Sequence, residues 1–380
     1  MKKMVYLDNS ATTAPCQRAI QNINLALCEN WGNPSSLYDL GFNAQMLVDD
    51  TRKSVAAMLK CREDEIYFMG SGTEGNNTAI TGAVHSRKKR GNRIVTTAIE
   101  HPSVLETVKR LEEDGFEVVY LKPQANGVIS VEDLNLAINK DTILVSIMLV
   151  NNETGAIQPI KAAADAIKAV NAPALLHCDG VQAFGKMPIN LSELGVDLFT
   201  ASGHKIHGPK GVGVLYIKKG ITIKPLICGG GQEKNMRSGT ESVPLIYGLK
   251  GAIDSLGNIN ENLKIKKELW KYAKGTLLET GIVSVNSCDD VLPYILNVSV
   301  EGYRSETLLH FLEAEGIYVS SGSACAKGEG SYVLKEMGYS RNRVDSALRI
   351  SFSSDTTQED IDALKTALIK ATQKLRRSIK

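Results

Sequence analysis

Residues 202–211 read SGHKIHGPKG and set Lys205 in a glycine-bounded bend between two short apolar runs, 197–201 (DLFTA) and 212–217 (VGVLYI). A lysine at a strand end beside Ser202 and His204 is placed to form a Schiff base, because its amine could be desolvated and partly deprotonated there. Taken alone, a solvated turn with two ordinary lysines is the better reading, since short motifs misfire often. The other polar turns of the chain reverse that balance.

Gly70-Ser71-Gly72-Thr73-Glu74-Gly75 matches G-x-G-x-x-G after a strand-like run, with Glu100 at the end of the next strand, where a dinucleotide site would place its ribose acid. Against that reading, the following helix opens on polar Thr73, Glu74, Asn76 and Asn77, and nothing downstream resembles a hydride-transfer site. Either way, a glycine turn entering a helix offers backbone N–H groups and the Thr73 hydroxyl to an anion. No Lys-Ser/Thr follows, so this is not a Walker A loop, and one phosphate held without metal fits a phosphorylated cofactor.

Asp179 ends the apolar run 174–178. A lone Asp there is a turn former, but beside a Schiff-base lysine it can keep a pyridine nitrogen protonated. His101 precedes Pro102, which predicts an extended backbone and a helix starting at Pro102. Its ring then sits at the carboxyl end of a strand, suited to lie against a flat cofactor. Residues 151–155 (NNETG) and 237–240 (RSGT) are further polar turns, read as parts of the same site.

Cys325 lies in SSGSACAKGEG. Free cysteines are most often buried and inert. The glycines at 322, 328 and 330 instead predict an exposed loop, and Lys327 favours the thiolate.

Strand-like runs at 65–68, 93–97, 117–121, 142–150, 174–178, 197–201 and 212–217 alternate with helical stretches. That alternation predicts an α/β fold with a mostly parallel seven-stranded sheet and its ligand at the strands' carboxyl ends. After about residue 257 the texture changes to a smaller α+β unit. The division expected is a large domain over 15–257 and a small one over 1–14 and 258–380, the latter carrying the cysteine loop.

The 380 residues are too many for one small core. A net charge of +2 argues against a direct nucleic-acid partner that works by bulk charge. The longest apolar stretch, around 143–150, is too short to cross a bilayer, and the start has no secretory h-region. A soluble, cytoplasmic protein with no membrane partner is expected. Seven cysteines without a CxxC pair indicate neither a disulfide framework nor a zinc site.

In this order the motifs resemble those of the cysteine desulfurases, pyridoxal-phosphate (PLP) enzymes of the class-V aminotransferase group with the fold-type I architecture. The resemblance runs from Tyr6-Leu7-Asp8-Asn9-Ser10-Ala11-Thr12-Thr13 to Arg349-Ile350-Ser351-Phe352. It includes Gly32-Asn33-Pro34-Ser35-Ser36, Ser71-Gly72-Thr73-Glu74, Glu100-His101, Asn151-Asn152-Glu153 and Asp179-Gly180-Val181-Gln182. Further along come Ser202-Gly203-His204-Lys205, Arg237-Ser238-Gly239-Thr240 and Ser320-Ser321-Gly322-Ser323-Ala324-Cys325.

The resemblance implies that Lys205 holds PLP covalently, Asp179 pairs with its ring nitrogen, His101 stacks on the ring and Gln182 bonds the ring oxygen. Gly72, Thr73, Ser202 and His204 would hold the phosphate, with Thr240 reaching it from the partner subunit of a homodimer. Asn152 and Arg349 would take the substrate carboxylate, with Asn33 nearby; Asn152 would also touch the cofactor. The implied reaction converts L-cysteine to L-alanine. Lys205 would move the α-proton, and Cys325 would receive the sulfur as a persulfide for an acceptor protein of iron–sulfur assembly or tRNA thiolation.

The chain departs from the family pattern at Tyr38, where a histidine is common, and in having only five residues between Cys325 and Ser331. A selenocysteine lyase or a class-V transaminase on the same scaffold is the alternative, and a transaminase would not need Cys325. A catalytically quiet PLP-fold partner protein would not need the set Lys205, Asp179, His101 and Cys325.

Overall fold

The apolar, β-branched runs become strands in the computed structural model, which describes residues 4–322 and 330–378. These are β1 (Val5–Tyr6), β2 (Ile66–Met69), β3 (Arg93–Thr97), β4 (Glu117–Leu121), β5 (Thr142–Met148) and β6 (Leu175–Asp179). They continue with β7 (Leu198–Ser202), β8 (Gly213–Ile217), β9 (Ser284–Val285), β10 (Ile295–Ser299), β11 (Ile317–Tyr318) and β12 (Ala347–Ser351). Seven of them form one sheet in the order β2-β8-β7-β6-β5-β3-β4. The strands from β7 across to β4 run parallel, while β8 is antiparallel to both β7 and β2. The α/β architecture with a mostly parallel sheet is therefore as the sequence predicts.

Every residue of β5 to β8 is buried, as a sheet covered on both faces requires. Neighbouring residues separate onto opposite faces. Val95, Val145, Leu176, Phe199 and Val214 join a core with helices Asp39–Leu59, Ile160–Ala169 and Val243–Asp254. Ile94, Leu144, Leu175, Leu198 and Leu215 join a second core with helices Gly72–Arg87 and Pro102–Glu113.

A third core lies around the sheet β12-β10-β9 and includes Trp270, Leu308, Ile350 and Leu364. Val5 and Leu7 belong to it, and β1 pairs in parallel with β11. The N-terminal strand thus packs with residues more than 260 positions away. Its neighbour Asp8 bridges to Ser351, which brings the start of the chain to the cavity described below.

Two strand ends differ from the sequence reading in a way that matters for the site. β6 runs through Asp179 and β7 through Ser202, so both polar residues end a strand instead of following it. Helices Gln17–Cys28, Asp39–Leu59 and Val243–Asp254 were not legible in the apolar pattern. The buried face of the second carries Gly41, Ala44, Thr51 and Arg52, small or polar residues that blur a helical stripe. Arg52 is held there by a bidentate pair with buried Glu233. Among the described residues, no helix is long and apolar enough to cross a membrane.

Candidate active site

The carboxyl ends of β5, β6 and β7 and the start of helix Gly72–Arg87 open onto one cavity of about 640 Å³. Gly72, Thr73, His101, Asn152, Asp179, Gln182, Ser202, His204, Lys205 and Arg349 all line it.

At one end the helix begins. Ser71 caps it, its Oγ accepting from the Glu74 N–H at 3.0 Å. A Cβ on Gly72 would lie 3.0 Å from Val181 Cγ2, so glycine lets the helix start come close to the strand ends. Glu74 is turned to other partners, taking Arg237 Nε and the Gly70 N–H at 2.9 Å each. The first-turn N–H groups and the positive end of the helix dipole suit a phosphate there. His204 stands at the same cavity, and burial with Lys205 nearby brings its pKa down to about 4, leaving a neutral ring.

Asp179 lines the same cavity. Its Oδ1 accepts from the Val181 N–H at 3.0 Å and its Oδ2 from Asn76 Nδ2 at 2.7 Å. Asn76 also donates to Ser103 Oγ at 2.9 Å, and that oxygen is 2.8 Å from His101 Nδ1. The Ser103 N–H donates to the same Nδ1 at 3.1 Å. A backbone N–H can only donate, so Nδ1 is an acceptor and the neutral imidazole carries its proton on Nε2. Burial lowers the His101 pKa, Asp179 opposing and Lys205 assisting.

Lys205 sits on the 3-10 turn Gly203–Lys205 after β7. Its Nζ donates to the carbonyls of Ser10 at 2.6 Å and Ala11 at 2.8 Å. Burial and the Arg349 charge pull its pKa down to about 8, against Asp8 and Asp179. An amine so poised is a usable nucleophile and base near neutrality.

Arg349, on β12, donates to Asp8 Oδ1 at 2.8 Å and to the Asn152 carbonyl at 3.2 Å. Its Nε is buried without a partner, as are Asn152 Oδ1 and Ser10 Oγ. Asn76 Oδ1 at the same cavity is unpartnered too. A buried unsatisfied polar atom costs about 1–3 kcal/mol, so four at one cavity mark where a ligand would complete the bonding. The donors and acceptors present fit a flat ring with a basic nitrogen at Asp179, a phosphate at the helix start and an aldehyde within reach of Lys205.

Two sequence-predicted residues among the described ones, Asn33 and Thr240, do not line the cavity. Asn33 is exposed, and its Oδ1 accepts from the Ser35 N–H at 3.0 Å. Thr240 is exposed as well. Cys325 lies outside the described residues. The stems on either side of it are described: Gly322 lines the cavity, and Ser331 Oγ donates to buried Glu153. A Cβ on Gly322 (φ +88°) would fall 2.8 Å from the same Glu153 oxygen, so both stems meet one carboxylate.

Sequence reasoning passed over Asn76, Ser103 and Ser10. Asn76 counted only as a polar start to a helix; its place one turn after Gly72 is the signal that could have found it. Glu100 is not a ribose acid. It is fully buried, its Oε1 takes Thr97 Oγ1 and the Met148 N–H, and burial raises its pKa to about 8.

A family model for Aminotransferase class-V matches residues 5–364. Cysteine desulfurase IscS of Clostridium botulinum is 40% identical over 377 residues, covering 97% of this chain and 94% of its own. Cysteine desulfurase IscS of Methanosarcina thermophila is 40% identical over 378 residues, 98% of this chain and 93% of its own. Among solved structures, a NifS-like protein superposes with a TM-score of 0.93 at 37% identity, covering 98% of this chain and 100% of its own. The fold is that of the class-V aminotransferases. The chain belongs to that family, among its cysteine desulfurases.

Proposed function

We propose that this protein uses PLP to take sulfur from L-cysteine, releases L-alanine, and carries the sulfur as a persulfide on Cys325 to an acceptor protein. The observation that carries this reading is the pairing, in one cavity, of the low-pKa Lys205 amine with the unpartnered Arg349 Nε and Asn152 Oδ1. An α-amino acid brings a carboxylate for the arginine and a nitrogen and α-proton for the lysine end.

When bound, PLP supplies an aldehyde that joins the substrate nitrogen and a ring that draws electrons from the α-carbon. Asp179 would keep the ring nitrogen protonated, and His101 would stack on the ring. Lys205 Nζ would hold the cofactor at rest, take the α-proton and return it. The Cys325 thiolate attacks the substrate sulfur; an S–S bond forms, the C–S bond breaks, and the carbon takes a proton. Cysteine plus enzyme thiol gives alanine plus enzyme persulfide, with no external oxidant. Gly322 at the cavity wall supports a route for that thiol, and a reactive thiol suits the reducing cytoplasm.

The reading includes a homodimer. Residues 20–46 expose Leu27, Trp31, Leu37, Tyr38, Phe42 and Met46, an apolar surface that a second copy would bury. Thr240 would then reach the partner's phosphate site. The acceptor would belong to iron–sulfur assembly or tRNA thiolation. Cys325→Ala should retain bound PLP and form no persulfide; unchanged alanine production from cysteine would sink the assignment.

A further inference from the structure

Gln182 is gripped by two partners that each work in one direction. Its Nε2 donates to the Ser10 carbonyl at 3.0 Å, and its Oε1 accepts from Lys186 Nζ at 3.2 Å. A carbonyl only accepts, so turning the amide over would break the Ser10 bond and take Oε1 away from the Lys186 amine that donates to it. The Ser10 carbonyl is also the acceptor for Lys205 Nζ. A continuous set of hydrogen bonds therefore joins Lys186, Gln182, Ser10 and Lys205.

Lys186 has no part in the chemistry described so far, and its burial is costly. It is 6% exposed, pairs with no carboxylate among the described residues, and lies 6.0 Å from the Tyr294 ring centroid. Burial, helped by the Lys205 and Arg349 charges, brings its pKa down to about 7. An apolar side chain would fill this space at lower cost, since a buried charge without a counter-ion loses its hydration. What the lysine adds is a donor aimed at Gln182 Oε1. With that oxygen taken and one Nε2 hydrogen given to Ser10, the second hydrogen is left for the cavity that Gln182 lines.

We propose that Lys186 is a positioning residue that locks the Gln182 amide with its nitrogen toward the cavity, so that a cofactor's ring oxygen meets a donor there. This rests on reading the cavity as a PLP site. Without Lys186, Oε1 either stays buried and unpartnered or turns toward the cavity and opposes the ring oxygen.

The test compares Lys186→Met, Lys186→Arg, Gln182→Ala, Gln182→Glu and the double variant Gln182→Ala/Lys186→Met as purified proteins. PLP is titrated into each apo form, and the visible absorbance maximum of the bound cofactor is recorded. Lys186→Met should bind PLP about tenfold more weakly, the worth of one hydrogen bond of roughly 1.4 kcal/mol, with a shifted maximum. Lys186→Arg, which keeps a donor, should stay near the parent. Gln182→Glu, which cannot donate when ionised, should shift like Lys186→Met and serves if that variant fails to fold. Adding Lys186→Met to Gln182→Ala should change nothing further. Parent-like affinity and maximum in Lys186→Met, or an undiminished extra loss in the double variant, would overturn the proposal. A parent that binds no PLP at all would defeat the reading of the cavity instead.

Discussion

Asn76 Nδ2 stands 2.7 Å from Asp179 Oδ2, and the same nitrogen reaches Ser103 Oγ, the partner of His101 Nδ1. One amide thus ties the Asp179 carboxylate, through Ser103, to the His101 imidazole. Hydrogen bonds to a charged group are worth about 1.5–3 kcal/mol. Asn76→Ala should therefore lower kcat/KM for cysteine by roughly tenfold to a hundredfold. The visible band of bound PLP should shift too, because the two groups proposed to meet its ring, Asp179 and His101, both lose a constraint. Parent-like kinetics would show that Asp179 is oriented by the Val181 N–H alone.

The Lys205 pKa of about 8 sets a pH dependence for cofactor attachment. Only the unprotonated amine attacks an aldehyde, so the reactive fraction rises about tenfold per pH unit below pH 8 and levels off above it. Rapid mixing of apoenzyme with PLP across pH 6–10 should trace this limb. Lys205→Ala should abolish borohydride trapping of the cofactor on the protein.

Lys186 makes a separate prediction for folding. Its pKa falls from an ordinary 10.5 unfolded to about 7 folded, so between those values the unfolded chain binds more protons. Stability from this group must then rise with pH from about 7 upward, and the burial penalty is fully present below 7. Relative to Lys186→Met, the parent should gain roughly 2 kcal/mol between pH 7 and pH 9. Urea unfolding of both proteins at the two pH values measures it. A constant gap would mean that Lys186 does not titrate in this window.

The exposed apolar surface at residues 20–46 predicts an oligomeric phenotype. Leu37→Glu combined with Phe42→Glu should give monomers by analytical ultracentrifugation. It should also weaken PLP binding, since Thr240 would no longer reach a partner's phosphate site. Monomers that keep full PLP affinity would remove Thr240 from that role.

The bend at Lys205, the turn at Gly72 and the acid at Asp179 were legible because each falls where an apolar run stops. In a parallel sheet those stops share one edge, and ligands bind there. The helices over 17–59 were not legible, because their buried faces mix glycine, alanine and polar residues with few large apolar ones. Asn76 and Ser103 were missed for a different reason. A buried asparagine on a helix looks like any polar surface residue until its partners are known.

The sequence alone determined the sheet and pointed to Lys205 at a strand end, because apolar runs and the polar residues that stop them are local features. The role of Cys325 came from the resemblance of its motif to the family's. Only tertiary structure decided how those groups are tuned. Ser10 comes from the N-terminal segment, Arg349 from β12 and Lys186 from the turn after β6, and all three bear on Gln182 or Lys205. Burial and unbalanced charge at that meeting point give Lys205 its low pKa. Both are sums over neighbours distant in the chain, which no local pattern records.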